Sequence, residues 1–135
     1  MKTIATRLTD GQDLLIEIKK LLDEHDVTAG VILSAVGSLK QSTIRVPVID
    51  GKVTYIHPQS LEIDSLHGTV SKHGCHLHIA VSDLDGKAWG GHLKEGCIVR
   101  TTCELVIGVL EDKVFTREMD KQTGFDELVV EEVEV

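Results

Sequence analysis

The stretch Cys75-His76-Leu77-His78-Ile79-Ala80-Val81-Ser82 constrains the fold more than any other part of the chain. Its apolar residues recur at every second position, the period of a strand with one buried face. Cys75, Leu77, Ile79 and Val81 therefore belong to a core, and His76, His78, Ala80 and Ser82 to the opposite face. Asp83 to Lys87 holds a turn, and Ala88 to Leu93 reads as the returning strand. A turn centred on Asp85 sets His92 opposite His78, where Cβ atoms lie about 4.5–5.5 Å apart. Three imidazoles on one face suit a divalent metal such as zinc, and three protein ligands leave a position for water or substrate. The plain alternative is a polar face with three hydrogen-bonding histidines, and a slip of register by a single residue would turn His92 away.

The rest of the chain gives that hairpin a setting. Leu14, Leu15, Ile18, Leu21 and Leu22 form one helical stripe, with Thr9 or Asp10 as cap and Asp13 and Glu17 at the positive end. The helix should fade near His25-Asp26. Gly30 to Val36 is an apolar run of strand length that Gly37-Ser38 ends. Thr43 to Val48 alternates, with Pro47 marking an edge, and Asp50-Gly51 turns into Lys52 to Ile56. Leu61–Val70, His73–Ser82, Ala88–Leu93, Cys97–Val109 and Glu127–Val135 complete the strands. Turns are short and no linker or repeat interrupts them. The expectation is one domain over residues 1–135, of α+β class, mainly antiparallel sheet with a flanking N-terminal helix.

The strand after His92 offers further polar candidates. Arg100, Thr102 and Glu104 share its polar face, which continues the histidine face if this strand neighbours the His92 strand. Glu104 would then be a ligand, a carboxylate behind the ligands or a general base, and Arg100 a hold on an anionic substrate. A cross-strand ion pair at a subunit contact is the plain alternative. His67 before Gly68 reads as structural, Glu62 as exposed, and His25, His57 and His73 as solvated at element ends. Trp89 reads as a packing or interface residue, and Gly90-Gly91 as a place where another chain or a ligand approaches the backbone closely.

Charge narrows the partners. The chain has 14 basic and 22 acidic residues, a net of −8. Nucleic-acid binding draws much of its affinity from phosphate neutralisation. Scattered Lys and Arg on so acidic a chain leave no obvious footprint for it, short of a local basic groove formed by assembly. Cys75, Cys97 and Cys103 fall on apolar faces and read as reduced thiols of a cytoplasmic protein. The N-terminus lacks a signal peptide's apolar stretch, and no apolar run approaches the roughly 20 residues of a membrane span.

Ser65-Leu66-His67-Gly68-Thr69, His76-Leu77-His78, Ser82-Asp83, Gly90-Gly91-His92-Leu93 and Gly96-Cys97 through Glu104 together resemble the PPC (plants and prokaryotes conserved) domain, in its stand-alone prokaryotic form. Gly11-Gln12-Asp13-Leu14 and Ser34-Ala35-Val36-Gly37-Ser38-Leu39 match it as well. The resemblance implies an antiparallel sheet with a flanking helix, assembled as a homotrimer. It also carries a DNA-binding label taken from plant relatives, which bind through an AT-hook. That hook is absent here, and Gln59-Ser60-Leu61-Glu62-Ile63 lacks the Arg and Phe of the corresponding plant block. The fold is further similar to acetolactate decarboxylase, where an H-x-H pair and a later histidine hold zinc. His76, His78 and His92 match that pattern in kind. Three functions follow as expectations: a zinc-binding trimer acting as a lyase or hydrolase on a small polar molecule through metal-bound water, a DNA-associated regulator, or an interaction module with structural histidines.

Overall fold

A computed structural model describes residues 1–135, which form ten strands and one helix. In chain order these are β1 (Lys2–Thr9), α1 (Leu14–Glu24), β2 (Gly30–Gln41), β3 (Ile44–Arg45), β4 (Tyr55–Ile56), β5 (Gln59–Ser71), β6 (Gly74–Ser82), β7 (Ala88–Leu93), β8 (Ile98–Val109), β9 (Lys113–Met119) and β10 (Asp126–Glu132). The first eight strands make one antiparallel sheet in the order β1-β8-β2-β5-β6-β7-β3-β4, and β9 and β10 form a separate hairpin. The α+β class with one flanking helix is therefore the observed architecture.

The helix lays Leu14, Leu15, Ile18 and Leu22 onto the sheet. Facing them are the inward residues of the strands, among them Leu39, Val70, Leu77, Ile79, Val81, Leu105 and Ile107. Fully burying one such side chain stabilises the fold by about 1.5–3 kcal/mol. The cap is Asp13, not Thr9 or Asp10: its Oδ1 accepts from the Ile16 amide at 3.1 Å, and its Oδ2 from the Gly96 amide at 2.7 Å. Thr9 is still in strand, because β1 pairs with β8 along its whole length. Asp10 instead accepts from the Thr101 amide at 3.1 Å.

Three other expectations change. β2 does not stop at Gly37-Ser38 but runs on to Gln41 through register shifts. A Cβ on Gly37 would lie 2.1 Å from the Thr102 carbonyl oxygen, so the glycine admits β8 rather than ending the strand. The strands expected over Thr43–Val48 and Lys52–Ile56 shrink to β3 and β4, two residues each, beyond which Pro47 cannot donate to a ladder. Finally, β1 and β9 were not expected as strands. Their alternation is short and mixes in Thr, Lys and Arg.

Candidate metal centre

The hairpin forms in the expected register. β6 pairs with β7 so that His78 faces His92, Ile79 faces Gly91 and Val81 faces Trp89. The turn is fixed by Asp83, whose Oδ1 accepts from the Asp85 and Lys87 amides at 2.9 and 3.0 Å. Its Oδ2 accepts from Trp89 Nε1 at 3.0 Å, which tethers the start of β7. Gly91 does admit a close approach, but the visiting backbone is β3 of the same chain rather than another chain or a ligand: a Cβ there would lie 2.6 Å from the Arg45 carbonyl oxygen.

Leu77, Ile79 and Val81 are buried, and His76 and His78 stand on the open face. One ring nitrogen each from His76, His78 and His92 lies within 4.8 Å of the others. The His78 and His92 ring centroids are 4.4 Å apart, and the His76 ring stacks on His92 at 5.3 Å. Imidazole–zinc bonds are about 2.0–2.1 Å, so an ion would draw the nitrogens closer by side-chain rotation. His67 faces His78 from β5, but its ring centroid is 6.1 Å away, and it lies outside the triad.

The surroundings disfavour the protonated form of two of these rings, His92 and His76. Burial, then the Arg45 guanidinium, then His78, His76 and Lys94 push His92 down to about 4. His76 is lowered too, by burial first and then by His78 and Arg117, against the opposing pull of Glu127. A metal needs the neutral ring, so the burial suits ligation, while the neighbouring cations would repel an uncompensated dication as they repel a proton. Thiols are not part of it: Cys97 and Cys103 are buried and, like Cys75, have their thiol pKa raised by burial.

Arg100 and Glu104 do not join the histidines within this chain. The adjacency that would have brought them there does not form, because β8 returns to lie between β1 and β2. Glu104 faces Arg7 on β1 and Val36 on β2, and Arg100 faces Ser38. Three strand spacings of about 4.8 Å separate β8 from β6, or roughly 14 Å. The long crossover leaves no local mark in the sequence.

The site has a second part that sequence reasoning missed. Arg45 on β3 faces His92, so Arg45, His92, His78 and His67 stand in one row across four strands. The β9–β10 hairpin closes the other side, with Arg117 Nη2 donating to Thr69 Oγ1 at 2.9 Å. Between them lies a cleft of about 500 Å³ that His76 and His92 share with Arg45, Lys94 and Arg117. His73, expected to be merely solvated, is on its rim, as are Asp126 and Glu127. The only available signal was Arg45 in an alternating run; Arg117 comes from a strand that was not expected.

The Plants and Prokaryotes Conserved (PCC) domain model matches residues 1–111. The bifunctional protein GlmU of Synechococcus sp. (strain JA-3-3Ab) is 41% identical over 133 residues, which cover 98% of this chain and 21% of that protein. The chain thus spans about a fifth of the curated relatives it matches. Among solved structures, a hypothetical protein from Salmonella cholerae-suis is 36% identical with a TM-score of 0.89, covering 97% of this chain and 94% of its own. A metal-containing protein from Archaeoglobus fulgidus is 30% identical with a TM-score of 0.83, over 96% and 94% of the two chains. Acetolactate decarboxylase from Bacillus subtilis shares the fold at 16% identity and a TM-score of 0.53, over 79% and 52% of the two chains. The chain belongs to the Plants and Prokaryotes Conserved domain family, as the resemblance in its motifs implied.

Proposed function

We propose that this chain binds a divalent metal ion, zinc first among the candidates, through His76, His78 and His92, and acts there on a small polar molecule. The observation that carries the reading is the convergence of three ring nitrogens within 4.8 Å on one sheet face. Imidazole donors suit zinc and its neighbours in the first transition row. The metal-containing description of the Archaeoglobus relative supports it at 30% identity. When bound, the ion would supply Lewis acidity toward a substrate oxygen. The chain's own part is to hold three imidazole rings on paired strands and to keep one side of the site walled by the β9–β10 hairpin. Glu127, which lines the cleft with Asp126, is the carboxylate whose charge acts on His76.

The test is metal analysis of untagged protein, purified without chelator and supplied with zinc near neutral pH. About one ion per chain is expected for a site of this kind. A chain that stays metal-free under those conditions overturns the reading and favours an interaction module with structural histidines.

The assembly we propose is a homotrimer. Supporting it are Leu33 and Val36, exposed to 48% and 57% on the open side of β2, and sheet edges at β1 and β4 without partners. Duplex DNA is not the proposed ligand, because the net charge is −8.

A further inference from the structure

The cleft beside the triad holds an excess of unpaired positive charge. Arg45, Lys94 and Arg117 all line it, and each is only partly exposed. None has a carboxylate within 4.0 Å, although the chain carries 22 acidic residues against 14 basic ones. The ion pairs that do form use other lysines: 19, 20, 40, 72 and 113. Asp126 and Glu127 reach the rim from β10, so the lining still carries one more positive than negative charge. A bound metal would add two more. Crowding like charges in a partly desolvated space is unfavourable unless something neutralises them.

We propose that this cleft is an oxyanion subsite, and that the molecule handled at the metal is a small phosphate or carboxylate. One oxygen of the anion would face the ion held by His76, His78 and His92, while the others accept hydrogen bonds from Arg45, Lys94 and Arg117. Arg45 is the central member. It faces His92 directly across β3 and β7, so its guanidinium and the metal ligand sit on neighbouring strands of one face. A guanidinium presents paired donors that match a carboxylate or phosphate edge. Arg117 is positioned by its hydrogen bond to Thr69, the residue opposite His76. The subsite therefore approaches the triad from both sides, β3 and the β9–β10 hairpin. This inference names the substrate class of the proposed metal centre and rests on that reading for the metal's share only.

The test is calorimetric titration of inorganic phosphate and, separately, of malonate into zinc-loaded and zinc-free protein at fixed salt, with zinc affinity measured in parallel. Phosphate or malonate should bind the zinc-loaded protein, and the tighter of the two assigns the source. Arg45→Gln and Lys94→Gln should each weaken that binding at least about 10-fold, the loss expected for a charge-assisted contact, while zinc affinity stays within about 3-fold. Lys2→Gln, at the far edge of the sheet, should change neither. If zinc does not bind but the anion binds the zinc-free protein and Arg45→Gln abolishes it, the subsite stands and the metal reading falls. If zinc binds and neither anion does, or if both glutamine variants bind the anion as the wild type does, the subsite is overturned and the metal reading stands.

Discussion

β6 shows two kinds of surface on one strand. On its inner side Leu77, Ile79 and Val81 are 3%, 2% and 0% exposed and pack among a single large core. On its outer side His76 and His78 are exposed and meet His92. The inner residues are held by volume and area, which any apolar side chain of similar shape supplies. The outer ones are held by direction, because only ring nitrogens aimed at a common point make a ligand set. Stability and chemistry are thus carried by alternate residues a few ångströms apart. The two should be separable by mutation.

The largest effect is expected where the two sides cannot be separated. Gly68 lies on β5 between His67 and Thr69 at φ 147°, and a Cβ there would stand 2.0 Å from the His76 carbonyl oxygen. Gly68→Ala must push β6 away at the level of the triad. It should destabilise the fold by more than about 3 kcal/mol in urea unfolding and remove zinc binding from whatever folds. A folded variant with wild-type zinc affinity would show that β5 does not set the position of His76.

Next come paired substitutions on the two sides of β6. Ile79→Ala should cost about 2–5 kcal/mol of unfolding free energy through the cavity it leaves. Zinc affinity of the folded fraction should stay within about 3-fold, since no ligand moves. His78→Ala should do the opposite. Its stability without metal should stay within about 1 kcal/mol, as for most exposed positions. Its zinc affinity should fall by more than about 100-fold, beyond what losing an outer partner costs. His25→Ala, at the helix C-cap, should change zinc affinity not at all. If His78→Ala and His25→Ala retain zinc equally, the triad is not the metal site.

The same division explains what the sequence made legible. The alternation from Cys75 to Ser82 and a turn anchored by Asp83 are local, and local rules place His78 opposite His92. Core membership follows from the same period. Strand order is another matter. Nothing within residues 98–109 states that β8 inserts between β1 and β2, because that choice is made by the whole sheet closing over the helix. The histidines could thus be read from their own hairpin, whereas Arg100 and Glu104 needed a neighbour that local pattern does not name. Arg45, Lys94 and Arg117 were hidden for the same reason: they come from three separate segments that converge only in the folded chain. The cap was missed more narrowly. Thr9, Asp10 and Asp13 are all competent caps by residue type, and pairing of β1 with β8 decided among them.

The smallest expected effect is a pH dependence that tells the outer side from the inner without metal. His92 is held near 4 in the folded chain, against about 6.5 for an unperturbed imidazole. Between those values the unfolded chain binds a proton that the folded chain does not. Stability of the metal-free protein should therefore be intact above about 6.5 and decline as pH falls toward about 4. His76 is shifted in the same direction and adds to the decline. Asp10, Asp26 and Asp83 are held below their ordinary value, so what they contribute is lost only at still lower pH. In urea midpoints measured with chelator, His92→Gln should flatten the profile between about pH 6.5 and about 4. Ile79→Val, which removes one buried methyl group, should lower the whole profile by about 0.5–1.5 kcal/mol without changing its slope. Parallel curves for wild type and His92→Gln would mean that the fold does not hold this ring neutral. Zinc would then compete with a proton for this ring as pH falls below about 6.5, and burial would not prepare the ligand.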